Sequence, residues 1–374
     1  MTEFRPAEVF SPGEFIREEL EERGWTQDDL AKIIGRNIAA INQIILGKKV
    51  ITPEIARELA EAFETSPELW LNLETSYRLS LVETEPGTIR KRAALYEVAP
   101  VKDMVRRHWI QPTSTCEELE RELKRFYGAS SLESLPPIAL AARTSAEPEK
   151  SVIAAQRAWC QRVIELAQCV HAKRYSAEAF KRGCEVLRTL EVSQEGVRKV
   201  PRVLSEMGIR FVIVEHLPKT KIDGVALWLN DAPVIAMSLR YERIDWFWHT
   251  LAHELSHIRH RDTVGLDIEI MQSEATNEIE LRADREAAEL LIPRGTLESF
   301  IFRIRPLYSK ERINQFANTI RVHPGIIVGQ LQHRGEIGYQ ANREMLVPVR
   351  DQVISEALTD GWGHFVEMDN SGGN

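Results

Sequence analysis

The sequence is poor in cysteine and has no long apolar run. Its four cysteines among 374 residues form no CxxC pair, which argues against a disulfide framework and against a thiolate zinc site. No stretch of about 18 uncharged apolar residues is present, and the first residues lack the basic and then apolar pattern of a signal peptide. We therefore expect a cytoplasmic protein with reduced thiols and no contact with a membrane.

The chain also lacks a positive net charge. Its formal charge of −8 at pH 7 argues against a protein that coats nucleic acid through bulk electrostatics, so any contact with DNA has to be local. The contents of 43% hydrophobic and 28% charged residues are typical of globular proteins. At this length we expect two or three domains, each with its own core.

Helical patterning dominates the N-terminal part. Between Pro12 and Leu79 the sequence predicts five short amphipathic helices, with helix caps at Ser11, Thr26, Thr52 and Ser66. The pattern fades after about residue 82 and returns, without recognisable chemistry, over residues 101–190. We predict an N-terminal domain, a helical linker region, a second domain and a C-terminal tail over residues 1–82, 83–140, 141–345 and 346–374.

The second domain begins with strand-like segments. The runs IRFVIVEHL, VALWL and PVIAMS are rich in β-branched residues and predict three short strands. A helix follows over YERIDWFWHTLAHELSHIRHR, and a second, charged helix extends from about Ala275 to Leu291 before Pro293 ends it. The predicted fold class is multidomain: an all-α domain followed by a mainly helical α+β domain with a small β-sheet.

An HExxH motif lies on the first of these helices. His253 and His257 are four residues apart, so both imidazoles project from one helix face and can reach a single ion. Glu254 lies one position round the helix, where a carboxylate can act as the base that deprotonates water. The motif therefore indicates a hydrolase with one zinc ion per chain.

A catalytic zinc ion needs a third protein ligand. Glu280 and Asp284 share a face of the charged helix, so Glu280 can bind the ion while Asp284 accepts the outer N–H of a ligand histidine. The alternative interpretation of this helix is a solvated charged face. Glu274, Glu278 and His260 are rival third ligands.

The group that would stabilise the oxyanion is left unassigned. His249, four residues before His253, extends the stripe of histidines and is either a packed side chain or a transition-state donor. Tyr241 and Tyr308 are the other two candidates.

The run RYERIDWFWHTLAHELSHIRH over residues 240–260, followed by EIELRADREAAELLIP, resembles the ImmA/IrrE family of metallopeptidases. The resemblance covers about residues 140–345 and is strongest in the middle. It implies a zincin-like domain in which His253, His257 and Glu280 bind the metal and Glu254 is the general base.

Three positions depart from the pattern of that family. Ser256 stands where the family usually has glycine, Arg282 replaces the second acid of the third-ligand motif, and Glu286 replaces a usual aromatic residue. None of the three removes a catalytic group. They concern the local packing and the substrate groove.

The N-terminal domain resembles HigA-type antitoxins and related repressors of the Xre helix-turn-helix class. The resemblance lies in PGEFIREELEERGWTQDDLAKIIG, INQIILGKKVITPEIARELAEAF and SPELWLNLETSYRL. It implies that the second helix opens with Gln27 and that the third helix lies in the major groove. The candidate DNA-binding residues are Gln27, Arg36, Asn37, Ala40, Asn42, Gln43, Lys48 and Lys49, of which the two lysines would contact phosphates.

Charge is distributed unevenly in this domain. Residues 1–80 hold nine basic and fifteen acidic side chains, a net charge of −6, whereas residues 35–50 hold three basic side chains and no acidic one. This favours binding of double-stranded operator DNA by a homodimer, with a strong dependence on salt. The alternative is a helical bundle used for protein contacts.

Two functions of different classes follow. The first is a zinc-dependent endopeptidase in transcriptional regulation, which cleaves a helix-turn-helix repressor or an antitoxin-like protein. The second is a DNA-binding antitoxin or repressor whose metal domain is a sensor or a scaffold without turnover. A general metabolic hydrolase is poorly supported, since nothing outside the zinc motif suggests a small-molecule pocket.

Overall fold

The structure is a computed structural model that describes residues 10–81, 87–133, 135, 149–262 and 274–368, with the side chains of 274–277 outside this description. The chain divides into two compact units, Met1–Thr88 and Ile89–Asn374. Within the described ranges, every helix is too short or too polar to cross a lipid bilayer.

The first unit contains the five predicted helices. They are α1 (Pro12–Arg23), α2 (Gln27–Ile33), α3 (Ile38–Ile45), α4 (Pro53–Phe63) and α5 (Pro67–Leu81). Thr26 forms a capping box with Asp29, and Thr52 caps α4, whereas the Ser11 hydroxyl donates to Glu14 and caps no backbone N–H. Their apolar faces close one core around Ile16, Leu30, Ile41, Leu59 and Trp70.

The second unit is mainly helical. Its helices are α6 (Thr88–Val98), α7 (Val101–Arg106), α8 (Cys116–Tyr127), α9 (Lys150–Cys169), α10 (Ala177–Leu190), α11 (Val200–Met207), α12 (Ile244–His260), α13 (Glu274–Leu291), α14 (Arg294–Ile304), α15 (Lys310–Ile320), α16 (Pro324–His333) and α17 (Arg350–Ile354). Two 3₁₀ turns lie at Gln194–Lys199 and Arg343–Met345. The helices that carry the HExxH motif and the acidic residues are therefore α12 and α13.

A four-stranded sheet lies within this unit. The three predicted strands are present as β1 (Arg210–Val214), β2 (Gly224–Leu229) and β3 (Ala232–Met237), and a short strand β4 (Leu358–Asp360) joins them. The order is β2-β3-β1-β4; β1 runs parallel to β3 and β4, whereas β2 is antiparallel to β3. The predicted fold class, an all-α domain followed by a helical domain with a small sheet, is confirmed.

Both faces of the sheet are covered by helices. Side chains alternate along a strand, so Phe211 and Ile213 pack with α12 and α16, whereas Val212 and Val214 pack with α8 and α9. Burial on both faces explains why the strands read as continuous apolar runs.

Two segments outside the predicted second domain contribute to the fold of the second unit. The helices α6 to α8, expected in a linker region over 83–140, share an apolar core with the sheet because Leu95, Met104 and Leu123 are buried against it. The expected tail over 346–374 supplies strand β4, where Asp360 is fully buried. Oδ2 of Asp360 accepts hydrogen bonds from Trp109 Nε1 at 2.9 Å and from Arg162 Nε at 2.5 Å.

Candidate metal centre

The packing of α12 decides where the HExxH side chains lie. Phe247, Leu251, Leu255 and Ile258 recur at helical spacing and are buried in the core against the sheet. Helices α13 and α16 also pack against α12, and α13 makes the more extensive contact. The motif histidines are therefore held between two helices.

The predicted ligand atoms converge. One ligand atom from each of His253, His257 and Glu280 lies within 4.8 Å of the others. The two histidine Nε2 atoms are 3.0 Å apart, and the Glu280 carboxylate is 3.3 Å from Nε2 of His253 and 3.6 Å from Nε2 of His257. Two ligands of one tetrahedral zinc ion are roughly 3.3 Å apart when each lies about 2.0–2.1 Å from it. The spacing of the three side chains thus fits a single ion.

A carboxylate holds the outer nitrogen of each histidine. Nδ1 of His253 is 2.9 Å from Oδ1 of Asp284, and Nδ1 of His257 is 3.0 Å from Oδ2 of Asp262. An imidazole that donates from Nδ1 turns the lone pair of Nε2 inward. Both Nε2 lone pairs and the Glu280 carboxylate then point at one location, an arrangement that a cation stabilises.

This electron-rich arrangement also affects the proton affinity of His253. Burial by itself lowers the pKa of His253, but its hydrogen bonds to Asp284 and Glu280 outweigh burial and raise the pKa to about 10. A divalent metal ion satisfies the same inward lone pair that the proton does.

The rival ligands lie elsewhere. His260 is directed to Glu286, with 2.8 Å between Nε2 and Oε1, and Glu278 is exposed on α13. Neither belongs to the converging group. The side chain of Glu274 lies outside the described residues. His249 lies near the centre, with Nε2 3.8 Å from Oδ1 of Asp284.

Glu254 lies beside the ligands and is buried. Burial raises the pKa of its carboxyl group, and the neighbouring His253 and His257 partly oppose that shift. The first residue of β2, Gly224, is in close contact with this carboxylate. Glu254 is therefore enclosed between the sheet and the two histidines.

A cavity of about 380 Å³ opens onto these side chains. Its wall contains His249, His253, Glu254, His257 and Glu280 and the apolar side chains of Ile222, Val225, Trp246, Leu291 and Ile326. Of the three oxyanion candidates only His249 belongs to this wall. Tyr308 donates its hydroxyl proton to Glu336 at 2.6 Å, and Tyr241 stacks edge-on against Trp246.

Sequence reasoning missed Asp262. An acidic residue just beyond the end of the HExxH helix is visible in the sequence. Its contact with His257, however, depends on the conformation of Arg261, which ends α12 in the left-handed region at φ 53°. That turn brings Asp262 back to His257, and no spacing rule predicts it.

The candidate DNA-binding residues fall into three groups. Asn42, Gln43 and Lys48 are exposed on α3 or just beyond it, whereas Gln27, Ala40 and Lys49 are half-buried. Arg36 is engaged by the carboxylate of Glu58, and Oδ1 of Asn37 accepts the N–H of Ala39 at 2.8 Å as the cap of α3. Asn42, Gln43 and Lys48 are thus exposed to solvent, whereas Arg36 and Asn37, two predicted base readers, are engaged in contacts within the unit.

Two known protein families match this chain, one in each of its two units. Residues 16–70 match the helix-turn-helix family, and residues 206–335 match the IrrE N-terminal-like domain of peptidase family M78. The chain belongs to the helix-turn-helix regulators and carries a peptidase M78 domain. The M78 match spans β1 to α16, and therefore contains the whole converging group of His253, His257 and Glu280.

Curated relatives of this helix-turn-helix regulator match over short stretches. It is 30% identical over 81 residues to the uncharacterized HTH-type transcriptional regulator YddM of Escherichia coli, which is 22% of this chain and 86% of YddM. It is 35% identical over 99 residues to an uncharacterized HTH-type transcriptional regulator of Haemophilus influenzae, which is 26% of this chain and 87% of the relative.

Two solved structures of antitoxins are similar to a part of this chain. One is antitoxin GraA, at 31% identity, with a TM-score of 0.21 over 22% of this chain and 89% of GraA. Another is Pseudomonas aeruginosa antitoxin HigA with the higBA promoter, at 28% identity, with a TM-score of 0.19 over 21% of this chain and 98% of HigA.

Proposed function

We propose that the M78 domain is a zinc-dependent endopeptidase that acts in transcriptional regulation and cleaves a helix-turn-helix repressor or an antitoxin-like protein. One observation carries the proposal: Nε2 of His253, Nε2 of His257 and the Glu280 carboxylate converge, while Asp284 and Asp262 hold the outer nitrogens. Two imidazoles and one carboxylate with room for a further ligand are the donor set of catalytic zinc sites.

The roles of the side chains follow from their positions. When bound, zinc supplies Lewis acidity, which lowers the pKa of water and polarises a carbonyl oxygen. Glu254 accepts a proton from the attacking water as the C–O bond forms and delivers it to the amide nitrogen as the C–N bond breaks.

The cavity supports a peptide substrate. A volume of about 380 Å³ with apolar walls is in the range of binding pockets and suits a side chain next to the scissile bond. The choice of a transcriptional regulator as substrate rests on the fusion to a helix-turn-helix domain, which directs the enzyme to a promoter or to a partner of the same class.

We also propose that the first unit binds double-stranded operator DNA as a homodimer. The match to the helix-turn-helix family over residues 16–70 supports this, as does the exposure of Asn42, Gln43 and Lys48 around α3. A dimer places two such helices in successive major grooves.

Metal content is the first test. The wild type and the variants His253→Ala, Glu280→Ala and Glu278→Ala are purified without added metal and analysed by mass spectrometry. We expect about one zinc ion per chain in the wild type and in Glu278→Ala, the control on the exposed side of α13, and a loss in the other two. A wild type that takes up no metal after reconstitution would overturn the peptidase proposal.

Cleavage is the second test. Zinc-loaded wild type, Glu254→Gln and the control Glu278→Gln are incubated with a proteome-derived peptide library and with purified helix-turn-helix repressors, and new termini are identified by mass spectrometry. We expect cleavage by the wild type and the control, and none by Glu254→Gln, which retains its zinc. Metal binding without cleavage of any substrate would favour the antitoxin or repressor with a sensory metal domain.

A further inference from the structure

Polar side chains tie α12 to α13 where the sequence departs from the ImmA/IrrE pattern. Ser256 donates its hydroxyl proton to Oε2 of Glu286 at 2.8 Å, and Oε1 of Glu286 is 2.8 Å from His260 Nε2. Arg282 donates from Nη2 to Oδ2 of Asp262. All three departures thus lie at the interface between the helices that carry the metal ligands, and the Arg282 contact leads directly to a ligand.

Asp262 reaches His257 twice. Its backbone N–H donates to the carbonyl oxygen of His257 at 3.0 Å, and its Oδ2 is 3.0 Å from Nδ1 of the same residue. The left-handed turn at Arg261 makes this return possible. The carboxylate is largely buried, with 10% of its side chain exposed, and the His257 side chain is 2% exposed.

The two histidines are supported differently. The carboxylate that holds His253 belongs to Asp284, which is fixed in the middle of α13. The carboxylate that holds His257 belongs to Asp262, which lies beyond the end of α12 and is not part of a helix. Arg282 on α13 pairs with this carboxylate and so ties it to the helix that carries Glu280.

We propose that Arg282 is a positioning residue of the metal centre: it holds the Asp262 carboxylate on Nδ1 of His257 and so keeps Nε2 of His257 directed at His253 and Glu280. The inference rests on the proposed metal site. Arg282 is two residues after Glu280, so α13 supplies the third ligand and also the cation that orients the second. Loss of such outer contacts typically lowers metal affinity by about 10- to 100-fold.

The test measures metal binding and leaves proteolysis aside. Full-length wild type, Arg282→Met and Arg285→Met are compared by zinc titration against a chromophoric chelator and by the visible absorption spectrum after loading with cobalt(II). Arg285 is the matched control, since it is exposed on the same helix and its Nε donates to the carbonyl oxygen of Leu281. We expect at least tenfold weaker zinc binding and an altered cobalt spectrum in Arg282→Met, and wild-type behaviour in Arg285→Met.

Further variants separate positioning from general loss of structure. Because Arg282 contacts Asp262 through one nitrogen, Arg282→Lys should restore part of the affinity and the wild-type spectrum. If Arg282 acts through Asp262, the double variant Arg282→Met/Asp262→Asn should bind zinc no more weakly than Asp262→Asn alone. Thermal melting of each variant gives the folded fraction. If Arg282→Met unfolds, the zinc affinities of Arg282→Lys and Asp262→Asn test the proposal instead.

The possible failures can be told apart. Zinc affinity and cobalt spectrum equal to those of the wild type in Arg282→Met would overturn the positioning role and leave the peptidase proposal intact. Losses of zinc affinity that are fully additive in the double variant would also overturn the positioning role and leave the peptidase proposal intact. A wild type that binds neither zinc nor cobalt would overturn both proposals.

Discussion

A Cβ atom at Gly224 would lie 2.7 Å from Oε1 of Glu254. It would also lie 2.9 Å from the methyl group of Thr250 on the same helix. Contacts this short are repulsive, so only glycine lets the first residue of β2 approach α12 at this distance. The sheet edge thereby forms one wall around Glu254, the proposed general base.

Gly224→Ala should lower peptidase activity while leaving zinc binding intact. The added methyl group displaces the Glu254 carboxylate, and a displacement of about 1 Å in a catalytic group lowers the rate by about 10- to 100-fold. The control is Gly295→Ala in α14, where an added Cβ has no atom within 4 Å. Cleavage kinetics at equal zinc content provide the comparison. Wild-type activity in Gly224→Ala would contradict the proposed role of Glu254.

Asp360→Ala should strongly destabilise the second unit. The substitution leaves Arg162 Nε and Trp109 Nε1 without their buried acceptor, and removal of one partner of a buried ion pair costs about 3–5 kcal/mol. Asp351→Ala, which removes an exposed carboxylate on α17, should change stability by less than about 0.5 kcal/mol. Calorimetric unfolding of both variants checks the difference, and equal midpoints would contradict it.

Glu191 should make stability depend on pH. Its carboxyl group lies at the end of α10, and burial raises its pKa from 4.5 to about 8, with a small opposing effect from Arg188. The folded state therefore holds this proton more tightly than the unfolded chain does. The protonated carboxyl group stabilises the folded state fully below about pH 4.5, and this stabilisation is lost as the pH rises through 8.

Glu191→Gln removes that dependence. We expect the variant to gain up to a few kcal/mol of stability over the wild type at pH 9 and little at pH 4.5. Urea unfolding at several pH values measures the difference, and Glu185→Gln on the exposed side of α10 is the control. A difference that does not change with pH would show that the pKa of Glu191 is the same in the folded and unfolded states.

Lys48→Ala should weaken DNA binding without changing its sequence preference. An exposed lysine that contacts one phosphate contributes about 0.9 to the slope of log K against log salt. Lys32→Ala is the control, because Lys32 lies on α2 and pairs with Asp28 at 2.6 Å. Binding to a fragment selected from a random DNA pool is titrated at several salt concentrations. Equal slopes in the wild type and Lys48→Ala would place Lys48 outside the interface.

The sequence predicted the parts of the fold that depend on local patterns. The strands carry runs of β-branched residues, the helices carry caps such as Thr26 and Thr52, and the spacing of His253 and His257 depends on helix geometry alone. The sequence favours Glu280 over Glu278 as third ligand because Asp284 lies one helical turn after Glu280, and the structure brings Glu280 and Asp284 to the same histidine.

The missed features depend on contacts between distant segments. Asp262 returns to His257 only because Arg261 adopts a left-handed conformation, and Arg282 meets Asp262 only because α13 packs along α12. Strand β4 has three residues, which is too short for a periodic signal, and it forms because β1 offers a parallel edge. The helical patterns in α7 and α8 predict helices but not that these helices cover the sheet, and α6 lies where the pattern fades.

The four-stranded sheet is complete only after β4 (Leu358–Asp360) has been synthesised. Asp360 bonds to residues that precede it in the chain by 251 and 198 positions, whereas the core of the first unit closes with residues up to Trp70. During synthesis, all residues of the helix-turn-helix core have therefore left the ribosome long before strand β4 of the second unit is made. A chain truncated before Leu358 would therefore keep the helix-turn-helix unit but lack the strand that completes the sheet of the second unit.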